Sequence, residues 1–188
     1  MNQLYPIELG YDPNFKDLPL NNNLDCKNKE ATISKFLLKF RFASHNDVST
    51  IIKMLSDDPL GAKRERFEDP LPKTYYKAFN FINDDPNNEL VVATIDKDVA
   101  GFMQITFIPY LTYQGRWRAL IEGVRVNKAY RNRGIGKQLF QWAIQRAKHR
   151  NCHLIQLTTD KKRPDAIRFY ESLGFAPSHE GMKLHFGL

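Results

Sequence analysis

The sequence predicts a mixed α/β (α+β) fold, with a central mixed and mostly antiparallel twisted sheet flanked by helices, and three observations support it. The first is a hairpin signal, because the apolar runs 90–95 and 99–108 are joined by Asp96-Lys97-Asp98. The second is a strand, a glycine turn, an amphipathic helix and another strand in succession between residues 119 and 159. The third is a set of helical stripes bounded by capping residues, prolines and glycines.

Taken in order, residues 1–35 read as an irregular N-terminal extension with Asn21-Asn22-Asn23 and scattered prolines. Its Tyr5, Ile7, Leu9, Tyr11 and Phe15 would pack onto the domain or mediate a contact. The domain proper is expected to run over 36–188. A first strand spans 36–42, and Ser44 to Asp47 offer helix caps. Val48, Ile51, Ile52 and Leu55 then form a helical stripe that ends at 57–61. Tyr75, Tyr76, Phe79 and Ile82 fit a second helix, stopped by Asp84-Asp85-Pro86. The hairpin follows, then a loop at 109–115 and a strand at 119–126. Ile135, Leu139, Phe140, Ala143, Ile144 and Ala147 recur at helical spacing, with Lys137, Gln138, Gln141, Gln145 and Lys148 on the other face. A strand is expected at 153–159. Pro164 just inside and Gly174 just past a short helix mark its two ends. Two short strands, around Phe175 and at 182–186, are expected to close the sheet. No internal repeat is visible.

At 188 residues the chain is sized for one domain with a substantial core. No apolar run approaches the ~20 residues of a membrane span. The N-terminus lacks a basic-then-apolar signal segment. Cys26 and Cys152 make no CxxC and no disulfide framework, which fits a reducing, cytoplasmic setting. No His/Cys/Asp cluster has metal-ligand spacing, so no metal is expected.

The net charge of +7 is concentrated. From Gly123 to Arg150 the chain holds eight Lys/Arg (125, 128, 131, 133, 137, 146, 148 and 150) and no Asp or Glu. Within that stretch, Arg131-Asn132-Arg133-Gly134-Ile135-Gly136 lies between a strand and a helix start. Such a turn leaves the N–H groups of Arg133 to Lys137 pointing outward beside the helix dipole, which makes an anion site. The bland reading of the charge is a solvated basic face.

The turn lacks the Gly-Lys-Ser/Thr ending of a P-loop and the Gly-x-Gly-x-x-Gly spacing of dinucleotide folds. Its Arg-x-x-Gly-x-Gly, preceded by Glu-x-Val-x-Val, resembles the acetyl-CoA pyrophosphate loop of the GNAT superfamily of N-acetyltransferases. Downstream, 166–175 (Ala-Ile-Arg-Phe-Tyr-Glu-Ser-Leu-Gly-Phe) is similar to the family's Ala-x-x-(Leu/Phe)-Tyr-x-x-x-Gly-Phe ending. The two motifs occur in the family's order with a strand between them, and the resemblance covers roughly 36–186. It implies the GNAT fold, acetyl-CoA as co-substrate, and a strand splayed from its neighbour. The splayed strand would hold the pantetheine arm through Val124, Arg125 and Val126, with Gly123 suited to a bulge. Arg131, Asn132, Arg133, Gly134, Ile135, Gly136 and Lys137 would meet the pyrophosphate, and Arg side chains would reach the 3′-phosphate. Arg163 stands where many members carry an Asn that bonds pantetheine. Residues 162–170 followed by Ser178-His179 resemble the aminoalkylphosphonate and related small-amine acetyltransferases.

Two residues are candidates for proton transfer. Glu122 interrupts an apolar strand, where a carboxylate must be paired, hydrated or raised in pKa. It matches the Glu that in many members serves as general base through water or binds the amine. An ion pair with Arg116 or Arg118 is the structural alternative. Alternation places Glu122 with Leu120, Val124 and Val126 unless a bulge at Gly123 resets the face. Tyr170 shares a helical face with Ala166 and Leu173, which by itself reads as core packing. A phenol is also matched to protonate a departing thiolate, and the family's Tyr at this position is the usual general acid. The acceptor pocket implied by the family lies between the first two helices and the last hairpin. Asp57 and Asp58 are candidates to hold a cationic amine there, and His179 and Glu180 to orient it or accept a proton. Each of these four also reads as a turn or surface residue. Cys152, at a strand start, reads as buried rather than nucleophilic.

The expected function is acetyl transfer from acetyl-CoA to a small-molecule amine in a ternary complex. Acetylation of a protein N-terminus or lysine is the rival, with 1–35 and 109–116 building or blocking a peptide groove. A non-catalytic CoA-binding sensor is the alternative from another class. Nucleic acid comes last, since only Tyr130, Phe140 and Trp142 interleave the basic stretch. No membrane partner is expected, and the chain is read as a monomer or homodimer.

Overall fold

The computed structural model describes residues 38–186. The N-terminal extension and the start of the first expected strand lie outside them. Five strands form one sheet in chain order. Strands β1 (Leu38–Phe42), β2 (Asn88–Ile95), β3 (Asp98–Pro109) and β4 (Trp117–Val126) pair antiparallel, and β5 (Cys152–Leu157) lies parallel to β4. This is the mixed, mostly antiparallel sheet the sequence predicts. The parallel pair needs a crossover, which α4 (Ile135–His149) supplies.

Helices cover both faces. On one, α1 (Val48–Leu55) and α2 (Lys73–Asp84) bring Val48, Ile51, Ile52, Met54 and Phe79 onto Val92 and Phe102. On the other, α4 seats Ile135, Leu139, Phe140, Ala143 and Ala147 on Met103, Ile105, Phe107, Ala119 and Ile121. Leu139 and Phe140 are wholly buried, worth about 1.5–3 kcal/mol each by area. Helix α5 (Pro164–Ser172) packs Phe169 and Tyr170 edge-on against Phe140. Between β3 and β4, the one-turn α3 (Thr112–Gly115) holds Tyr113 and Gln114 in left-handed backbone.

Two expectations are corrected. Residues 175–186 form no strand among the described residues, and Met182, Leu184 and Phe186 are exposed. Their alternation suits a strand, but no neighbouring edge accepts their backbone. The basic stretch is also not one surface. Arg146 is buried on the α4 face and donates three hydrogen bonds to the Glu89 carboxylate, at 2.7, 2.9 and 3.2 Å. Arg150 lies over the Phe107 ring at 4.4 Å. A helix of this length is roughly 20 Å long, so its C-terminal charges stand far from the turn at its start.

Candidate active site

The site grows from the point where β4 loses one of its partners. Pairing of β4 with β5 ends at Ile121↔Leu157, while pairing with β3 continues to Gly101↔Val126. Glu122 to Val126 therefore bond on one side only. Within this stretch Phe102 faces Arg125 and Gln104 faces Glu122, so Met103 stands opposite both Gly123 and Val124. That two-against-one count is a β-bulge, and Gly123 takes the φ of +66° that it requires.

The bulge resets the face. Beyond it, Val124 and Val126 pack with the α4 core, and Arg125 turns to the side of Glu122, Gln104 and Phe102. Glu122 is exposed, and no hydrogen bond or ion pair among the described residues engages it. The structural alternative, an ion pair with Arg116 or Arg118, does not form among the described residues. Arg118 lies instead over the Tyr110 ring at 4.9 Å. Glu122 shares its face with Asn88, Gln104 and Thr106, where Asn88 Oδ1 accepts from Gln104 Nε2 at 3.1 Å and Thr106 Oγ1 at 2.6 Å. Sequence reasoning passed over this polar row. Its signal was present, since Gln104 and Thr106 are polar two apart in an otherwise apolar strand.

After β4, Asn132 and Gly134 adopt left-handed backbone, and Gly134 caps α4 at φ +75°. The first helical bond at this end is Gln138 N–H to Gly134 O at 3.1 Å. No acceptor among the described residues serves the N–H groups of Arg133 to Lys137. A β-carbon on Gly134 would meet nothing within 4 Å, so the turn opens outward. Orphan donors, a helix N-terminus and an open approach fit a pyrophosphate. The side chains are partly committed elsewhere. Arg131 donates to Val126 O at 3.2 Å and Asp57 Oδ2 at 2.7 Å, and Arg133 lies over the Tyr130 ring at 5.5 Å.

The acidic pair is engaged with arginines. Asp58 Oδ2 receives Arg163 Nη2 at 2.8 Å and Arg125 Nη2 at 3.2 Å. Its Oδ1 accepts from Gly61 N at 2.8 Å and Leu60 N at 3.0 Å. Burial alone would raise this carboxyl, but the Gly61 and Arg163 hydrogen bonds and the two guanidinium charges hold it below the ordinary Asp range. Arg163 thus caps the approach to α5 while bound to the α1 loop. Arg125 donates a further bond to Val124 O at 2.9 Å, and its Nε is buried without a partner. Burial lowers its pKa, opposed by Asp58.

Tyr170 is half-buried, and its hydroxyl has no hydrogen-bond partner among the described residues. Burial raises its pKa, against the nearby charges of Arg125 and Arg163. A neutral phenol able to donate is the favoured form. His179 and Glu180 are exposed, bonded at 2.8 Å to Ser178 and Lys161 respectively. Burial pushes the Cys152 thiol up to about 11, which disfavours a nucleophilic thiolate. Among the described residues no group of His, Cys, Asp and Glu is placed to hold a metal ion, and no helix is long and apolar enough to cross a membrane.

The family model described as "Acetyltransferase (GNAT) family" matches residues 52–175. The chain is 32% identical over 95 residues to an aminoalkylphosphonate N-acetyltransferase of Salmonella typhimurium, covering 50% of this chain and 61% of that one. It is 30% identical over 86 residues to a glucosamine 6-phosphate N-acetyltransferase of Trypanosoma brucei brucei, covering 46% and 56%. The match thus spans less than two thirds of each of these curated relatives. A crystal structure described as a transcriptional regulator from Bacillus halodurans C-125 superposes with a TM-score of 0.77 at 60% identity, covering 79% of this chain and 99% of that one.

Proposed function

The chain belongs to the acetyltransferase (GNAT) family, and on that premise we propose that it transfers acetyl from acetyl-CoA to the primary amine of a small molecule, within a ternary complex. The observation that carries this reading is a carboxylate at the one-sided end of β4 and a phenol on α5 packed against the same core as Val124 and Val126, both without hydrogen-bond partners among the described residues. Acetyl-CoA supplies the activated acetyl group. The orphan N–H groups of Arg133 to Lys137, with Arg131 and Arg133, would bind its pyrophosphate, and the free edge of Val124 to Val126 its pantetheine arm. Glu122 takes one proton of the incoming ammonium through water, and the amine forms the C–N bond at the thioester carbonyl. As the C–S bond breaks, the Tyr170 hydroxyl protonates the departing sulfur and regains a proton from the new amide nitrogen.

The relatives named for small amines favour a small-molecule acceptor, while a shorter match, 35% identical over 60 residues to an N-alpha-acetyltransferase of Saccharomyces cerevisiae, favours the protein rival. The description of the Bacillus halodurans chain favours a second reading, a CoA-binding sensor without catalysis. The two-cysteine composition supports a cytoplasmic setting.

The test is release of free CoA thiol from acetyl-CoA across a panel of amines and peptides, for the wild type and Glu122→Gln. With the right acceptor, kcat/KM should rise with pH through a limb that the variant shifts or abolishes. The loss should be largest at low pH, where free amine is scarcest. An unaltered profile beside a lowered melting temperature would make Glu122 structural, and no release with any acceptor alongside CoA binding would favour the sensor.

A further inference from the structure

We propose that Arg125 and Arg163 form an oxyanion-recognition site for the acceptor, so that the amine used here carries a phosphonate, phosphate or carboxylate on the same small molecule. The inference rests on the acetyl-transfer reading for the position of the amine. Its own basis is the charge count at one point of the fold. A single carboxylate, Asp58, serves two guanidinium groups, at 2.8 Å for Arg163 and 3.2 Å for Arg125. Its second oxygen is already taken by the Leu60 and Gly61 N–H groups. One positive charge is left over at this point, and Arg64, itself 4.0 Å from Glu65 Oε1, is also felt at Arg125.

Position and geometry favour an incoming oxyanion. The Gly123 bulge turns Arg125 onto the face of Glu122, and both arginines act electrostatically on the Tyr170 hydroxyl. The surplus charge therefore lies beside the two groups proposed to move protons. Arg125 Nε is a buried donor with no acceptor among the described residues, which leaves its guanidinium charge only partly compensated. The planar guanidinium fork matches phosphonate and carboxylate oxygens in pairs, which selects for a flat or tetrahedral anion rather than a lone negative atom. Asp58 Oδ2 already holds one Nη of each guanidinium, so less side-chain freedom remains to be lost on binding.

The experiment has two arms. In the first, kcat/KM is compared for 2-aminoethylphosphonate, β-alanine and the neutral propylamine, in the wild type, Arg163→Gln and Arg163→Lys. The wild type should prefer an anionic amine by at least tenfold, the size of one charge-assisted hydrogen bond. Arg163→Gln should collapse that ratio and Arg163→Lys restore part of it. Which acid is preferred separates phosphonate from carboxylate. Equal losses for anionic and neutral amines would overturn the proposal, since they would place the arginine charge on the departing sulfur instead.

The second arm does not depend on turnover. With the glycine turn saturated by CoA, methylphosphonate is titrated into wild type and variants by calorimetry, each checked by thermal melt. Binding to the wild type, weakened about tenfold in Arg163→Gln and partly recovered in Arg163→Lys, supports the site even where no acceptor is acetylated. No binding, or equal binding in all three, overturns it.

Discussion

Arg131 Nη2 donates to Asp57 Oδ2 at 2.7 Å, which ties the glycine turn to the loop that follows α1. The arginine proposed to meet a phosphate is thus held by a carboxylate that competes with it. Asp57→Asn removes the competitor. Its dissociation constant for CoA should fall by up to about fivefold, as expected for an exposed ion pair. Arg131→Ala should raise that constant about tenfold. Calorimetry reads both, and unchanged constants would remove Arg131 from the cofactor site.

Tyr170→Phe keeps the ring that packs on Phe140 and removes only the hydroxyl. The melting temperature should barely move, while kcat should fall roughly 10–1,000-fold for loss of a general acid. Because burial raises the phenol's pKa, it stays protonated through neutral pH and past its ordinary value of about 10. Any alkaline fall in wild-type kcat should therefore lie above about pH 10 and be missing from the variant. Full activity in Tyr170→Phe would reduce this residue to packing.

Asp47 anchors the entry to α1. It bonds Arg41 at 2.7 and 2.8 Å and accepts from Ser44 N at 2.7 Å and Ser44 Oγ at 2.8 Å. Burial would raise its pKa, but the Arg41 and Ser44 hydrogen bonds outweigh it and hold the value low. Its stabilisation is thus complete above the ordinary Asp value near about 3.9 and is lost as pH falls through the lower folded value. Asp47→Asn should cost on the order of 1–2 kcal/mol at pH 7. Melting curves of the two proteins should converge as pH drops below about 4. A gap that stays constant with pH would mean that shape, not charge, matters there.

How far the sequence speaks depends on how local each signal is. The stripe from Ile135 to Ala147 names its own buried face, and Asp96-Lys97 names its hairpin, because both patterns are complete within a few residues. The glycine turn is legible for the same reason. The facing of Arg125 is not, because it depends on how β3 counts against β4. Nor is the commitment of Asp58 to Arg163, 105 residues away, or of Glu89 to Arg146, 57 residues away. The alternation of Met182, Leu184 and Phe186 announces a strand but says nothing about a partner, and among the described residues none is supplied.

The extra residue in β4 acts as a shift of phase. A strand assigns side chains to its two faces by parity, and one inserted residue inverts that parity for everything after it. Flattening the bulge with Gly123 kept in the chain would leave the composition of the motif untouched and exchange its inventory. Arg125 would be turned into the apolar layer beneath α4, where no carboxylate waits for it. Val124 and Val126 would come round to the side of Glu122. An arginine driven into that layer would neither fold comfortably nor meet a ligand. In this stretch the face on which Arg125 stands is set by an odd or even count, so a change that flattens the bulge would turn it over, whereas deletion of Gly123 would keep it in place.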